Sequence, residues 1–357
     1  MQHLDPHERP PEGIRSVYKK YQKMRLQELD QDQDIINLSS DASASTNSKV
    51  RVVSEYGAED LTATFRAFTG GDGDVRDLDM LTSIPVYEHE DMPGLHMIPS
   101  LLPPAIQSIL LSRLLHRDLS NPTHLTNIHT HYAISYPPSS SSFFSLSPNS
   151  RTPITTPIDP TIHNPLTASQ LLTRKLRWTT LGGQYDWTAK CYPSTRPPPF
   201  PADIKALLGS LFTSTKAEAA IVNLYSPGDT LSVHRDVAET SPTGLVSVSL
   251  GCDALFIIGL SPEDDGDGKG GEGKEGKEGK EGKEEKILTL RLRSGSAVYM
   301  SGLSRFAWHG VPQIVAGTCP EYLRDWPGTA QRSGEYQDWK GWMANKRVNL
   351  NVRQMGD

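Results

Sequence analysis

The seven residues Arg347–Arg353, which read RVNLNVR, constrain the fold more than any other segment. In an extended strand, alternate side chains share a face. Val348, Leu350 and Val352 then make one apolar face, and Arg347, Asn349, Asn351 and Arg353 share the other. Guanidinium groups aimed into a β-barrel are costly unless an anion meets them. A bidentate contact with a carboxylate is the natural solution. This one strand therefore asks for a β architecture with an anionic ligand inside it.

The neighbouring sequence agrees. From about residue 167 the chain breaks into short runs rich in β-branched and aromatic residues: SQLLTRKLRWTT, EAAIVNLY, LVSVSL, ALFIIG, ILTLRL, SAVYM and KRVNLNVR. Short strands separated by Gly/Pro turns predict an all-β sandwich or barrel, with helical stretches such as ADIKALLGSLF around it. Between ALFIIGL and ILTLRL lies EGKEGKEGKEGKEEK, with glycine at every third position and no apolar residue. It predicts a solvated, disordered insertion at 262–286 between two strands.

Upstream the texture differs. Residues 1–75 read as a helical and flexible extension, with one charged helix over 14–36. Residues 76–166 read as a helix-containing segment; its helix begins near Pro104, where proline suits a first turn. The Ser/Pro/Thr-rich stretch from Pro137 to Pro165 reads as a surface excursion. Residues 167–357 form the β domain. The His129/His131 pair reads as part of a loop, and Trp326, Trp339 and Trp342 as packing of a helical connection.

Hydrophobic residues make up only 36% of the chain, so much of it should be loop, tail or insertion. No apolar run is long enough to cross a bilayer. The polar start MQHLDPHERPPEGIRS lacks the apolar core of a secretory signal. These features predict a soluble, intracellular protein, with nucleus, cytoplasm and mitochondrion all open and a monomer as the default. Three scattered cysteines make neither a disulfide framework nor a zinc module, and Cys252 reads as a buried small residue. The net charge of −6 is unevenly spread. Eight basic residues face seven acidic ones over 167–261, and nine face five over 287–357. A mildly basic half permits phosphate contacts.

The chemistry is concentrated in NLYSPGDTLSVHRDVAE. After the Pro227-Gly228 turn the chain resumes as a strand, and positions i and i+2 bring His234 and Asp236 to one face. A second histidine, His309, follows the β run in SAVYMSGLSRFAWHGVP. Two histidines and a carboxylate leave three positions open on a metal, a pattern that suits non-heme Fe(II). Zinc with a bound water is the competitor. The arginine strand separates the two, because an oxygenase that uses a dicarboxylate needs it and a zinc hydrolase has no general need for it. Asp229, Arg235 and Glu239 flank the metal pair and read as solvated, with Arg235 available to a phosphate.

At this point the sequence resembles the AlkB-type nucleic-acid dioxygenases. The resemblance covers roughly residues 167–357. It rests on N-x-Y-x-P-G-D-x-L-x-x-H-x-D from Asn223 to Asp236, on SVSLGCDALFIIGL, on SGLSRFAWHGVP and on R-x-N-x-N-x-R. Within the family, LRWTTLGGQYDWTAKCYP, PPPFPADI, YMSGLSR and GLHMIPSLLPP point to the branch of the first mammalian AlkB homologue. The resemblance implies a mainly β fold with flanking helices, around a double-stranded β-helix (jelly-roll) core. It implies His234, Asp236 and His309 as iron ligands, and contacts to 2-oxoglutarate from Asn223, Tyr225, Arg347, Asn349 and Arg353, with Arg347 on the distal carboxylate. Trp178 and Tyr185 would stand on the substrate side, Trp178 beside an extruded base.

The expected function is oxidative demethylation of a methylated base in nucleic acid, with release of formaldehyde, succinate and CO2. The partner would be tRNA or DNA, single-stranded or with a flipped base. N1-methyladenine in tRNA and N6-methyladenine in DNA both fit. Rival readings are an oxygenase acting on methyl-lysine or a histone, oxidation of a methylcytosine in tRNA, and a non-catalytic nucleic-acid-binding module.

Overall fold

Strands form where the β-branched and aromatic runs predict them. In the computed structural model the runs become Ala219–Tyr225, Leu245–Gly251, Ala254–Leu260, Lys286–Leu292, Ala297–Met300 and Arg347–Arg353. The model describes residues 4–356 except 6, 39–47, 72–77, 79, 187, 188, 190, 240, 263–283 and 329–333. Most of the repeat insertion therefore lies outside the described residues. One run departs from expectation: SQLLTRKLRWTT is extended only over Trp178–Gly182, and its first half is helical. Leu172 and Leu176 stand four apart, a helical spacing, and both are buried.

Among the described residues the strands form two large sheets. The larger runs Val50–Tyr56, Ile84–His89, Leu95–Ile98, Ala297–Met300, Leu245–Gly251, Arg347–Arg353, Ala219–Tyr225, Trp178–Gly182. The smaller runs Ile35–Ile36, Lys286–Leu292, Ala254–Leu260, Trp308–Ile314, Leu231–His234. From residue 219 onward, successive strands alternate between the two sheets, apart from the antiparallel pair Ala254–Leu260 and Lys286–Leu292 within the smaller one. This is the expected double-stranded β-helix with flanking helices. Val348, Leu350 and Val352 are buried in one cluster with Ile106 and Leu110 of the helix Pro104–Ser112 and Ile204 and Leu208 of the helix Ala202–Leu211. Burying each such side chain stabilises the fold by about 1.5–3 kcal/mol, which leaves the polar face of the arginine strand turned toward the space between the sheets.

Two upstream expectations need correction. The helix expected over 14–36 spans Glu12–Lys23, then breaks at Met24, whose backbone is extended, before the short helix Leu26–Leu29 and the strand Ile35–Ile36. The reason is packing: Ile14, Tyr18 and Tyr21 of the helix, then Leu29 and Ile35, all enter one cluster with Leu255, Ile257 and Trp308 of the smaller sheet. A straight helix would carry the last two away from it. The Ser/Pro-rich stretch is likewise more than a surface excursion, because Phe143 and Phe144 are buried. Phe144 meets the rings of Trp326, Trp339 and Trp342 edge-on. His129 caps a 3-10 turn, its Nδ1 accepting from the Thr126 backbone N–H at 2.9 Å. No helix among the described residues is long and apolar enough to cross a membrane.

Candidate active site

Between the sheets lies a cavity of about 280 Å³. Of the site residues expected from the sequence, Tyr185, Asn223, His234, Asp236, His309, Arg347, Asn349 and Arg353 line it, and Tyr225 and Trp178 are not among its lining residues. His234 ends the edge strand of the smaller sheet and stands directly across from His309 on the neighbouring strand. Asp236 follows two residues on. One ligand atom from each of the three lies within 4.8 Å of the others. The Nε2 atoms of His234 and His309 are each 3.7 Å from an Asp236 carboxylate oxygen.

Local hydrogen bonds aim these atoms. His234 Nδ1 donates to the Ser232 carbonyl at 2.9 Å, and His309 Nδ1 to the Ala307 carbonyl at 3.0 Å. A carbonyl can only accept, so each proton sits on Nδ1 and each Nε2 lone pair faces the common centre. Burial pushes His309 down to about 4, which keeps its imidazole neutral at pH 7, the form that ligates metal. Asp236 behaves oppositely. Burial pushes its carboxyl up, but Arg353, His234 and His309 outweigh burial and hold it below the ordinary carboxylate range. The donor set is two imidazoles and one carboxylate on one side of an open space, and it fits a divalent cation that must also take exogenous ligands.

The arginine strand supplies the other half of the cavity. Arg347 is fully buried; its Nη2 donates to Ser249 Oγ at 2.7 Å and its Nη1 to the Cys252 and Leu292 carbonyls. Burial pulls its guanidinium down to about 10, so it remains charged at pH 7. Among the described residues no acceptor meets Arg347 Nε, and none meets the buried hydroxyl of Tyr225, which stands directly across from Arg347. Two orphaned donors at one buried place are expensive unless an anion arrives. Asn349 is held by Ser247 Oγ and the Val248 carbonyl and stands across from Asn223. Trp178 stands across from Asn223 on the sheet's edge strand and so shares its face. Burial pushes the Tyr185 hydroxyl up to about 12, and its ring meets Tyr192 edge-on at 5.3 Å.

Arg353 differs from Arg347 in having carboxylate partners. Its Nη2 donates to Asp236 at 2.6 Å, and its Nε pairs with Glu239 at 3.0 Å as an ion pair without hydrogen-bond geometry; Nη1 has no acceptor among the described residues. Glu239 therefore corrects the expectation that the flanking charges are solvated. Its carboxylate is 2% exposed, pairs also with Arg305 at 3.2 Å, and accepts from the Tyr192 hydroxyl. Arg305, itself buried, donates to the backbone carbonyls of Asp236 and Thr243 and so pins the loop that carries the metal-side aspartate. Asp229 caps the Pro227-Gly228 turn through the Ser226 N–H and pairs with Arg177. Arg235 is buried against Trp308. Sequence reasoning read Glu239 as solvated and passed over Arg305 and Tyr192. A run of Arg and Glu around a loop carries no local mark of burial, since its partners lie far away in the chain.

The sequence profile of the 2OG-Fe(II) oxygenase superfamily matches residues 94–353. The chain belongs to that superfamily. Fe(II) and 2-oxoglutarate are its cofactor and cosubstrate, which agrees with the donor set and with the Arg347 Nε that meets no acceptor among the described residues. Among relatives, "N6-methyladenosine RNA demethylase ALKB1" of Pyricularia oryzae is 45% identical over 364 residues, covering 99% of this chain and 98% of that protein. "N6-methyladenosine RNA demethylase ALKBH" of Cryphonectria parasitica is 52% identical over 240 residues, which cover 64% of this chain and 100% of that one. "tRNA demethylase abh1" of Schizosaccharomyces pombe is 36% identical over 279 residues, 76% of this chain and 82% of that one. The 2OG-Fe(II) oxygenase fold of this chain thus arrives with AlkB-type relatives, as the sequence motifs implied.

Proposed function

We propose that this oxygenase demethylates methylated adenine in nucleic acid, with N6-methyladenosine in RNA as the first substrate to test. The observation that carries the reading is the meeting of two half-sites in one cavity: a His-Asp-His donor set on the smaller sheet, and a buried arginine with an unmet donor on the larger. The names of the relatives at 45% and 52% identity support the substrate class.

In this reading His234, Asp236 and His309 would hold Fe(II), Asp236 as the anionic ligand. Arg347 and Tyr225 would receive the distal carboxylate of 2-oxoglutarate, with Asn223, Asn349 and Arg353 as further polar contacts to it. Fe(II) with 2-oxoglutarate supplies O2-dependent hydroxylation of a nearby C–H bond. One O2 and one 2-oxoglutarate give succinate and CO2; the N-methyl carbon takes one oxygen atom, and the hemiaminal releases formaldehyde and the unmethylated base. Tyr185 lines the cavity and Trp178 stands across from Asn223; in this reading both would offer aromatic faces to a base out of its stack.

Mass spectrometry of nucleosides decides the substrate. Treated RNA bearing N6-methyladenosine should lose the methyl group with stoichiometric formaldehyde; tRNA bearing N1-methyladenosine, DNA bearing N6-methyladenine and methyl-lysine peptides complete the panel. Formaldehyde from peptides alone would sink the nucleic-acid reading. The role of Arg347 has its own test. Arg347→Met should raise the 2-oxoglutarate concentration for half-maximal rate about 10- to 100-fold, from loss of a charge-assisted contact of ~1.5–3 kcal/mol. An unchanged requirement would move the distal carboxylate elsewhere.

A further inference from the structure

Behind the metal pair lies an arrangement that the proposed chemistry does not use. Arg235 stands between His234 and Asp236, and alternation sends its side chain away from theirs. There its guanidinium lies 4.3 Å over the ring of Trp308, and its Nη1 reaches Glu8 at 3.3 Å. Trp308 immediately precedes His309 and is buried with Ile14, Tyr18 and Tyr21 of the helix Glu12–Lys23. The chain neighbours of all three candidate ligands are thus stacked on each other across the far side of the sheet.

The strand that carries His234 needs such support. Leu231–His234 is four residues long, ends the smaller sheet, and pairs with Trp308–Ile314 through a register that shifts between His309 and Val311. A short edge strand with few ladder bonds fixes its side chains weakly. The helix behind it is firmly seated. Glu285 accepts the backbone N–H groups of Gly13 and Ile14 at its open first turn. Gly259 admits Ile14, whose Cδ1 would lie only 2.8 Å from a Cβ at that position.

We propose that the Arg235–Trp308 stack, tied to Glu8 and backed by the helix Glu12–Lys23, holds His234 and Asp236 in register with His309 and so sets the affinity for the divalent metal. This rests on the reading of those three residues as the metal ligands. Glu8, Arg235 and Trp308 are then positioning residues. The superfamily profile begins at residue 94, so the metal site draws support from a segment outside the matched region. A guanidinium over an indole is the strongest form of this contact when desolvated, and lysine cannot reproduce its planar stacking.

The test is Co(II) titration of the metal-free full-length protein, followed by its visible absorption bands, without substrate or turnover. Arg235→Leu and Trp308→Leu should each weaken Co(II) binding about five- to tenfold. Arg235→Lys should fall between them and the parent. Ile106→Ala, a cavity in the main core far from the stack, should keep Co(II) affinity within about twofold while lowering the melting temperature. Affinities within twofold of the parent in both leucine variants would overturn the proposal, and so would an equal loss in Ile106→Ala. If Trp308→Leu does not fold, Arg235→Leu and Glu8→Gln carry the same decision. His234→Ala separates the underlying reading: if it binds Co(II) as the parent does, the ligand assignment itself fails, whatever the stack does.

Discussion

Asp236→Ala is expected to abolish turnover while leaving a folded protein. Ligand-supporting residues around a metal typically cost 10- to 100-fold when removed, so loss of the anionic ligand itself should exceed about 100-fold in both metal affinity and rate. The fold should survive, because Arg353 keeps Glu239 at 3.0 Å when Asp236 is gone. Asp236→Asn sharpens the result: it preserves shape and one oxygen donor but removes the charge that holds two histidines and a dication together. Succinate formation with 2-oxoglutarate alone, together with Co(II) binding, measures both quantities. Turnover near the parent level in Asp236→Ala would remove the metal assignment.

Arg353→Leu should have the largest effect on stability. Asp236 and Glu239 both lean on this guanidinium, and neither is well solvated. Removing one partner of a buried ion pair costs about 3–5 kcal/mol, because the remaining charge stays buried. Glu239 retains Arg305, so the uncompensated charge falls mainly on Asp236. Denaturant unfolding of the metal-free variant measures the loss, and a saturating divalent metal should restore part of it by binding the native state alone. The pH dependence carries the same signature. In the parent, Asp236 is held below its ordinary value of 3.8. Its contribution to stability is fully present above that value and drains away as the pH falls toward the folded-state value. Arg353→Leu should flatten this acid limb, and a limb identical to the parent's would assign the depression to the histidines instead.

Much of the site was readable in the chain because strand geometry is local. Period-two alternation places Arg347, Asn349 and Arg353 on one face, and the same rule puts His234 and Asp236 together. Most strands from Ala219 onward formed where β-branched runs predicted them, but Trp308–Ile314, which carries His309, was not among those runs. Failures came where the decisive contact is distant. The helix over 14–36 breaks because Leu29 and Ile35 pack on strands that come more than 200 residues later. The Ser/Pro stretch is anchored because Phe144 meets three tryptophans beyond residue 325.

The arginine strand shows the division most clearly. Its sequence alone determined that two guanidinium groups would face inward and that anions had to meet them, because alternation and the cost of a buried charge need no partner to be known. Only the tertiary structure decided which anion each one meets. Arg353 takes Asp236 and Glu239, 117 and 114 positions earlier, and is thereby tied to the metal side. Among the described residues Arg347 finds only neutral oxygens as acceptors, from Ser249, Cys252 and Leu292, and keeps one donor for a ligand. Sequence spacing cannot distinguish these two fates, since each depends on the carboxylates that folding brings within about 3 Å.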